Sequence, residues 1–334
     1  MSKKSQVILA ADIGATKTNL GIFPLEPGRP AIREETYTTR DFKDAGKMLE
    51  KFLSEGQPPQ LARACLGVPG PVLDNQSTTT NLPWLIDGGQ LAADLGIPEI
   101  RLVNDLEATA TAIPHLGEAD LFTINRGLRR QHGNIAVISP GTGLGEGFLT
   151  VGADGRYRAY PSEGGHCDFA PANQQEVDLL QYLQEILGHV SYEQVCSGLG
   201  LMNLYGFLKK GRKDLEPAWL SQQLSAAPDP SRVIIEAALD GKQESLLCLE
   251  TMRLFVGILG SEAGNLALKT MATGGLYIGG GITPRIRKIL DSSLFLKGFF
   301  NKGRVSQILS DIPVHVIMNQ KAPLNGAALL ARQG

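Results

Sequence analysis

One device occurs twice in this chain: an apolar run, a turn of small residues, and a second apolar run. It stands at LAADIGATKTNLGIF, residues 9–23, and again at NIAVISPGTGLGEGFLTV, residues 134–151. A strand–turn–strand unit that restarts after about a hundred residues points to a tandem arrangement, and so to two lobes with a cleft between them. Nothing Pro/Ser-rich or of low complexity separates the copies, so the boundary near residues 110–118 is placed from the restart alone.

Around the first copy, QVILAAD, TNLGIF and EETYTT read as a three-stranded antiparallel meander. The spacing of Phe42, Ala45, Leu49, Phe52 and Leu53 predicts a helix. LARACLGVPGPV reads as a buried strand stopped by Pro69-Gly70-Pro71, QLAADLG as a short helix, and EIRLVND as a strand ending in Asn104-Asp105. LEATATAIPHL then starts a helix that Pro114 ends. After the second copy come a long helical stretch (LLCLETMRLFVGILGSEAGNLALKT), a strand running into glycines (GGLYIGGGI), a helix from PRIRKILDSS and a last strand, VHVIM. Residues 211–233 predict a short helix between loops, and LNGAALLARQ a closing helix that returns to the first lobe. The expected fold is thus α/β, with mixed sheets and flanking helices. Residues 1–115 plus 320–334 form a small lobe, and residues 116–319 a large one.

A net charge of −2 gives no reason to expect nucleic acid or an anionic membrane as partner. MSKKSQVILAAD lacks the apolar length and cleavage site of a signal peptide. No uncharged apolar stretch reaches the ~18 residues of a spanning helix. Cys65, Cys167, Cys196 and Cys248 are scattered without a CxxC, which reads as thiols of a reducing cytoplasm.

Three glycine turns and a set of acids carry the chemistry. In Asp12-Ile13-Gly14-Ala15-Thr16, a thin turn with a hydroxyl can present backbone N–H groups to a phosphate, and Asp12 can hold Mg²⁺ directly or through water. A hairpin with a capping Asp accounts for the same residues. Ser139 to Gly147 alternates glycines, but a strand follows instead of a helix. That excludes a dinucleotide fingerprint, and the chain holds no GxxxxGK[ST]. A glycine-lined clasp for phosphate fits. Gly279-Gly280-Gly281 precede a helix expected near Pro284, where a flat ligand or an anion could lie, or a plain tight turn. Asp105 ends a strand where open α/β sheets bind ligands, or it caps the next helix. Glu163 and His166 bracket two glycines and can hydrogen-bond a polyol. Glu193 reads locally as a first-turn helix acid.

Together these residues resemble the bacterial glucokinases of the hexokinase-like, actin-type ATPase superfold (ribonuclease H-like), over nearly the whole chain. DIGATKTNLGIF and SPGTGLGEGF resemble the two phosphate loops. LGVPGPV and TNLPW resemble the segments beside the sugar, and LVNDLEATA the catalytic strand. SEGGHCDFAP, SYEQVCSGLGLMNLY and GGLYIGGGITPR resemble the remaining sugar and adenosine segments, and in this order they are the more specific ones.

The resemblance implies ATP-dependent, Mg²⁺-assisted phosphorylation of D-glucose at O6, the first step of glycolysis. Asp105 would deprotonate the O6 hydroxyl. Asn81, Asn104, Glu163, His166 and Glu193 would hold the other hydroxyls. Ala11, Asp12, Ile13, Gly14, Ala15 and Thr16 would line the first phosphate loop, with Asp12 on Mg²⁺ through water. Gly141, Thr142 and Gly143 would cradle phosphate, and Gly280 and Gly281 would lie against the nucleotide. Ala15 stands where the family has a second glycine, which is tolerable while φ stays negative. Only Cys167 follows His166, so the zinc cluster of the repressor–kinase–ORF relatives is not expected. A cytoplasmic homodimer is expected by analogy. The rival readings are a kinase for mannose, fructose or an N-acetylhexosamine, a non-catalytic sugar sensor, and a partner-driven ATPase.

Overall fold

The computed structural model describes residues 6–56, 60–78, 82–212, 215–239, 245–290 and 293–333. The chain splits into two units: Met1–Gly117, Tyr157–Pro161 and Asn319–Gly334 make the first, Glu118–Arg156 and Ser162–Met318 the second.

The first unit contains β1 (Val7–Ile13), β2 (Lys17–Pro24), β3 (Arg33–Thr38), α1 (Ala45–Ser54), β4 (Leu61–Val68), a small ribbon of β5 (Gln76–Thr78) and β6 (Leu85–Asp87), α2 (Gly88–Leu95), β7 (Ile100–Asn104) and α3 (Asp105–Ala112). The helix Ala322–Gln333 completes it. Its sheet runs β3-β2-β1-β4-β7. The expected meander is present as antiparallel β1–β2–β3, while β1, β4 and β7 are mutually parallel. Strand β1 shows why two layers of helix are needed. Its side chains alternate between faces with period two. Val7, Leu9, Ala11 and Ile13 join α1 residues Met48, Leu49 and Phe52 in one buried cluster. Ile8 and Ala10 join Leu324, Ala327 and Ala328 of the C-terminal helix in another. That helix lies so close to α3 that a Cβ on Gly326 would collide with the Ala108 carbonyl. Helix α1 begins only at Ala45, because the Asp44 carboxylate accepts the Lys47 N–H at 2.8 Å and caps it. Phe42 therefore precedes the helix and packs its ring edge-on to Tyr37.

The second unit contains β8 (Leu121–Asn125), β9 (Ile135–Pro140), β10 (Leu144–Val151), the last residue of β11 (Tyr157–Ser162), α4 (Gln174–Leu187), α5 (Gly198–Lys209), α6 (Ala218–Ala226), α7 (Pro230–Leu239), α8 (Leu246–Thr270), β12 (Gly275–Ile278), α9 (Arg287–Leu290), α10 (Ser293–Phe300), α11 (Ser306–Ser310) and β13 (Val314–Ile317). Strand β9 pairs antiparallel with β10 and parallel with β12, which pairs parallel with β13. This repeats the relation of β1 to β2, β4 and β7, so the two sequence devices do head two copies of one sheet plan. The long helix α8 is buried along most of its length. It admits α10 closely at Gly260, where a Cβ would strike the Phe295 carbonyl, and at Gly264, where a Cβ would come within 2.6 Å of the Phe299 carbonyl.

Two sequence expectations need correcting. The helix after the glycine triplet starts at Arg287, not near Pro284, and has only four residues. The intervening residues form turns, pinned by the Thr283 hydroxyl donating to the Gly279 carbonyl. Residues 211–233 hold α6 and the start of α7, so a short single helix underestimates them.

Candidate active site

In the first unit the parallel strands β1, β4 and β7 end at one edge. Asp12 pairs with Gly67, Gly67 with Val103 and Val68 with Asn104. Asp12 and Asp105 are thereby brought to the same end of the sheet. Gly67 between them leaves room: a Cβ there would already be 3.4 Å from the Ala11 carbonyl and 3.8 Å from the Asp105 Cα. Both carboxyls are partly buried. Burial pushes the Asp12 carboxyl above its ordinary value, and the Asn19 hydrogen bond partly offsets this. Burial, and after it the nearby charge of Asp12, lift Asp105 to about 6.

Asp12 is held across three strands. Asn19 Nδ2 donates to Asp12 Oδ2 at 3.1 Å, and the Thr36 hydroxyl donates to Asn19 Oδ1 at 2.8 Å. The registers place Asp12 opposite Asn19 and Asn19 opposite Thr36. The first glycine turn is fixed in the same manner. Gly14 N–H donates to the Lys17 carbonyl at 3.0 Å, and a Cβ on Gly14 would lie 2.7 Å from that oxygen. Thr39, whose hydroxyl meets that of Thr18, donates to the Gly14 carbonyl at 2.7 Å. Ala15 is not among the residues with positive φ, so its methyl group is accommodated.

Asn104, not Asp105, caps α3. Its Oδ1 accepts the Leu106 N–H at 2.9 Å, and its Nδ2 donates to the Gly70 carbonyl at 3.0 Å. Asp105 is the first helical residue, and its Oδ1 also accepts the Leu106 N–H, at 2.8 Å. The cap position thus belongs to Asn104, with Asp105 sharing the same N–H. Asn81 lies outside the described residues.

In the second unit three segments meet at Leu144. Its N–H donates to Glu193 Oε2 at 2.9 Å, and its carbonyl lies where a Cβ on Gly165 would clash. It also closes the β9–β10 turn opposite Pro140. Gly143 is needed because a side chain there would run into the Glu193 carboxylate. Glu193 sits in a 3₁₀ turn, Tyr192–Gln194, and its carboxylate spans to the glycine turn rather than merely decorating a helix start.

The turn carrying Glu163 and His166 follows β11, with His166 Nε2 3.8 Å from Glu163 Oε2. Both side chains are exposed, at 77% and 59%. The Cys167 carbonyl accepts the Tyr192 N–H, and Phe169 N–H donates to Val190, so this segment is stitched to the one carrying Glu193. Gly280 adopts φ +84° against the Pro140 carbonyl, a position no side chain can share. Gly141 and Gly281 face open space, and Gly141 O accepts the Gly198 N–H at 2.8 Å.

The supporting residues Asn19, Thr36, Thr39 and Leu144 carry no motif signal. For Asn19 and Thr36 the alternation within the meander was the one usable clue.

Comparison with known proteins sharpens this picture. A family model described as glucokinase matches residues 9–334. A curated glucokinase of Trichormus variabilis is 40% identical over 340 residues, covering 97% of this chain and 98% of its own. The crystal structure of a glucokinase from an Antarctic psychrotroph is 31% identical with a TM-score of 0.82, over 98% of this chain and 99% of that one. A glucokinase of Balamuthia mandrillaris, solved in complex with glucose, has a TM-score of 0.81 at 19% identity, over 98% and 94% of the two chains.

Proposed function

The chain belongs to the glucokinase family and is an ATP-dependent glucose kinase of the actin-like ATPase fold; we propose that it transfers phosphoryl to O6 with Asp105 as the general base. The observation that supports this is the pair of partly buried carboxyls, Asp12 and Asp105, at the ends of parallel strands. A hydroxyl at pH 7 is a weak nucleophile, and an effective base has a proton affinity near the working pH. Asp105, lifted to about 6, is mostly ionised at neutral pH yet accepts a proton readily.

Transfer through a loose transition state asks mainly for positioning and for neutralisation of phosphate charge. Thr16 in one turn, and Thr142 and Gly143 in the other, supply backbone N–H groups for that, while Gly14 and Gly141, whose own N–H groups close their turns on Lys17 and Gly143, keep the turns thin. Gly280 and Gly281 offer a flat backbone surface to the nucleotide. Glu163, His166, Glu193 and Asn104 hold sugar hydroxyls, and we extend that role to Asn81.

Asp12 fits Mg²⁺ by its chemistry: a hard oxygen ligand whose Oδ2 is oriented by Asn19. Among the described residues no group of three or more His, Cys, Asp or Glu could hold a metal. A cation brought in by the nucleotide and held through water by Asp12 is consistent with that. When bound, Mg²⁺ neutralises charge on the β- and γ-phosphates.

We also infer a homodimer, the commonest closed assembly, to be checked by light scattering. No helix among the described residues is long and apolar enough to cross a membrane, and a cytoplasmic setting, where ATP and hexose meet, suits the reaction.

Coupled ADP release over a panel of hexoses tests the reading, run beside Asp105→Asn. Glucose should give the highest kcat/KM. The variant should lose about 10²–10⁴ in kcat while still binding glucose by calorimetry. ATP hydrolysis that is indifferent to sugar, or an unimpaired variant, would overturn the proposal.

A further inference from the structure

Two acids that the reaction does not use lie beneath the sugar-holding turns. Glu146 is on β10 and 1% exposed. Glu262 is on α8 and fully buried. Their carboxyls are within hydrogen-bonding reach of each other. No donor reaches Oε1 of either among the described residues. Two adjacent buried carboxyls, each with one oxygen that accepts no hydrogen bond, are costly as two anions, so such a pair keeps one proton between them.

The surroundings show what the pair touches. Glu146 Oε2 lies directly under Gly164, where any Cβ would meet it. The Glu146 carbonyl accepts from the Ser162 hydroxyl at 3.1 Å, and Ser162 Oγ accepts the Gly164 N–H at 3.2 Å. On the other side, Glu262 Oε2 accepts from Asn265 Nδ2 at 2.8 Å, and the same amide donates to the Tyr192 hydroxyl at 3.0 Å. Tyr192 is the residue before Glu193. A continuous line thus runs from the Gly164 turn through Glu146, Glu262, Asn265 and Tyr192 to Glu193.

We propose that Glu146 and Glu262 are positioning residues, a carboxyl pair sharing one proton that sets the Glu163–His166 turn against the turn carrying Glu193 and so sets the affinity for the sugar. This rests on the reading of Glu163, His166 and Glu193 as the sugar-holding groups.

Burial, then the charge of Glu262, raise Glu146 to about 8, and burial raises Glu262 as well. The other groups facing the pair are Lys269, with Nζ 3.6 Å from Glu262 Oε1, then Lys302, Tyr192, Cys196 and Glu176. Lys269 and Lys302 favour the ionised forms and so oppose the rise, and burial outweighs them. A carboxyl raised in this way keeps its proton below pH 8 and loses it above. Loss of the shared proton puts two like charges under the turns.

The test is KM for glucose between about pH 6 and 9.5, around the value to which Glu146 is raised, for the wild type, Glu146→Gln and Glu146→Ala. In the wild type, KM should rise above about pH 8 with a smaller change in kcat. Glu146→Gln replaces the shared proton with an amide N–H, so it should keep a near-normal KM and flatten the alkaline rise. Glu146→Ala should raise KM by about tenfold and leave KM for ATP nearly unchanged. Identical pH profiles for wild type and Glu146→Gln would overturn the proposal, whether or not Glu146→Ala folds. So would an unchanged KM in a folded Glu146→Ala. Glu163→Gln, measured alongside, separates the two failures. If it raises KM while Glu146→Ala does not, the pair alone is wrong. If neither moves KM, the assignment of the sugar-holding turn fails with it.

Discussion

The two sets of candidate site residues are prepared in opposite ways. Asp12 and Asp105, in the first unit, are partly buried, with raised proton affinities, and each already accepts a hydrogen bond. Glu163 and His166, in the second, extend into solvent from a turn that is itself rigidly seated. Groups that take a proton or hold a cation must have their affinities altered, and burial alters them. Groups proposed to hold sugar hydroxyls need reach, and here the backbone is fixed while the side chains stay outside. Glu193 stands between these cases: we propose it as a sugar-holding group, yet its carboxylate already accepts the Leu144 N–H.

The largest effect that could break this contrast is at Asp105. Besides the loss in Asp105→Asn, kcat/KM should fall as pH drops through about 6, because the base form is lost there. In Asp12→Asn that acid limb should move to lower pH, since one of the causes raising Asp105 is the charge of Asp12. A limb that stays in place in this variant would mean that burial alone sets Asp105.

Next comes Asn19→Leu. Removing the amide that orients Asp12 should weaken the apparent Mg²⁺ affinity by about 10–100-fold, the usual effect of losing an outer-shell partner. It should leave KM for glucose nearly unchanged, and Mn²⁺ titration followed by spin resonance reads it without turnover. Thr36→Val, one step further out, should show a fraction of that effect. Equal effects would mean that the relay acts as one rigid unit.

Smaller still is Gly143→Ala. The added methyl would meet the end of the Glu193 side chain, which can swing away but must then release Leu144. KM for both glucose and ATP should rise by a few-fold, on the order of one hydrogen bond. A change in only one of them would show that Glu193 does not link the glycine turn to the sugar turn.

Much of the architecture was readable from local pattern. The alternation in QVILAAD and TNLGIF, the breaks at glycine and proline, and the restart at residue 134 are consequences of strand periodicity and turn sterics, which act over a few residues. The glycine turns were legible for the same reason. What stayed hidden depends on register and on neighbours distant in sequence. Asn19 looks like any polar residue on a strand until β2 is set opposite Asp12. Glu146 and Glu262, 116 positions apart (262 − 146), give no sign of being buried together. Asp105 is open to reading as a helix cap from sequence, whereas in the structure Asn104 holds the cap position and both side chains accept the Leu106 N–H. The short helix at Arg287 was misplaced because Pro284 is also a good turn residue, and Thr283 tips the balance through a bond to Gly279.

One feature of the first unit bears on how the molecule comes into being. Its second helical layer, Ala322–Gln333, packs on β1 and, through Gly326, on the helix that begins at Asp105. Strands β1 and β7 leave the ribosome early, but the surface that shelters them is synthesised more than two hundred residues after Asp105. A nascent or C-terminally clipped chain therefore has a complete second unit while Asp105 still stands in half-built surroundings. The order of synthesis makes the surroundings of Asp105 the last part of the first unit to be completed.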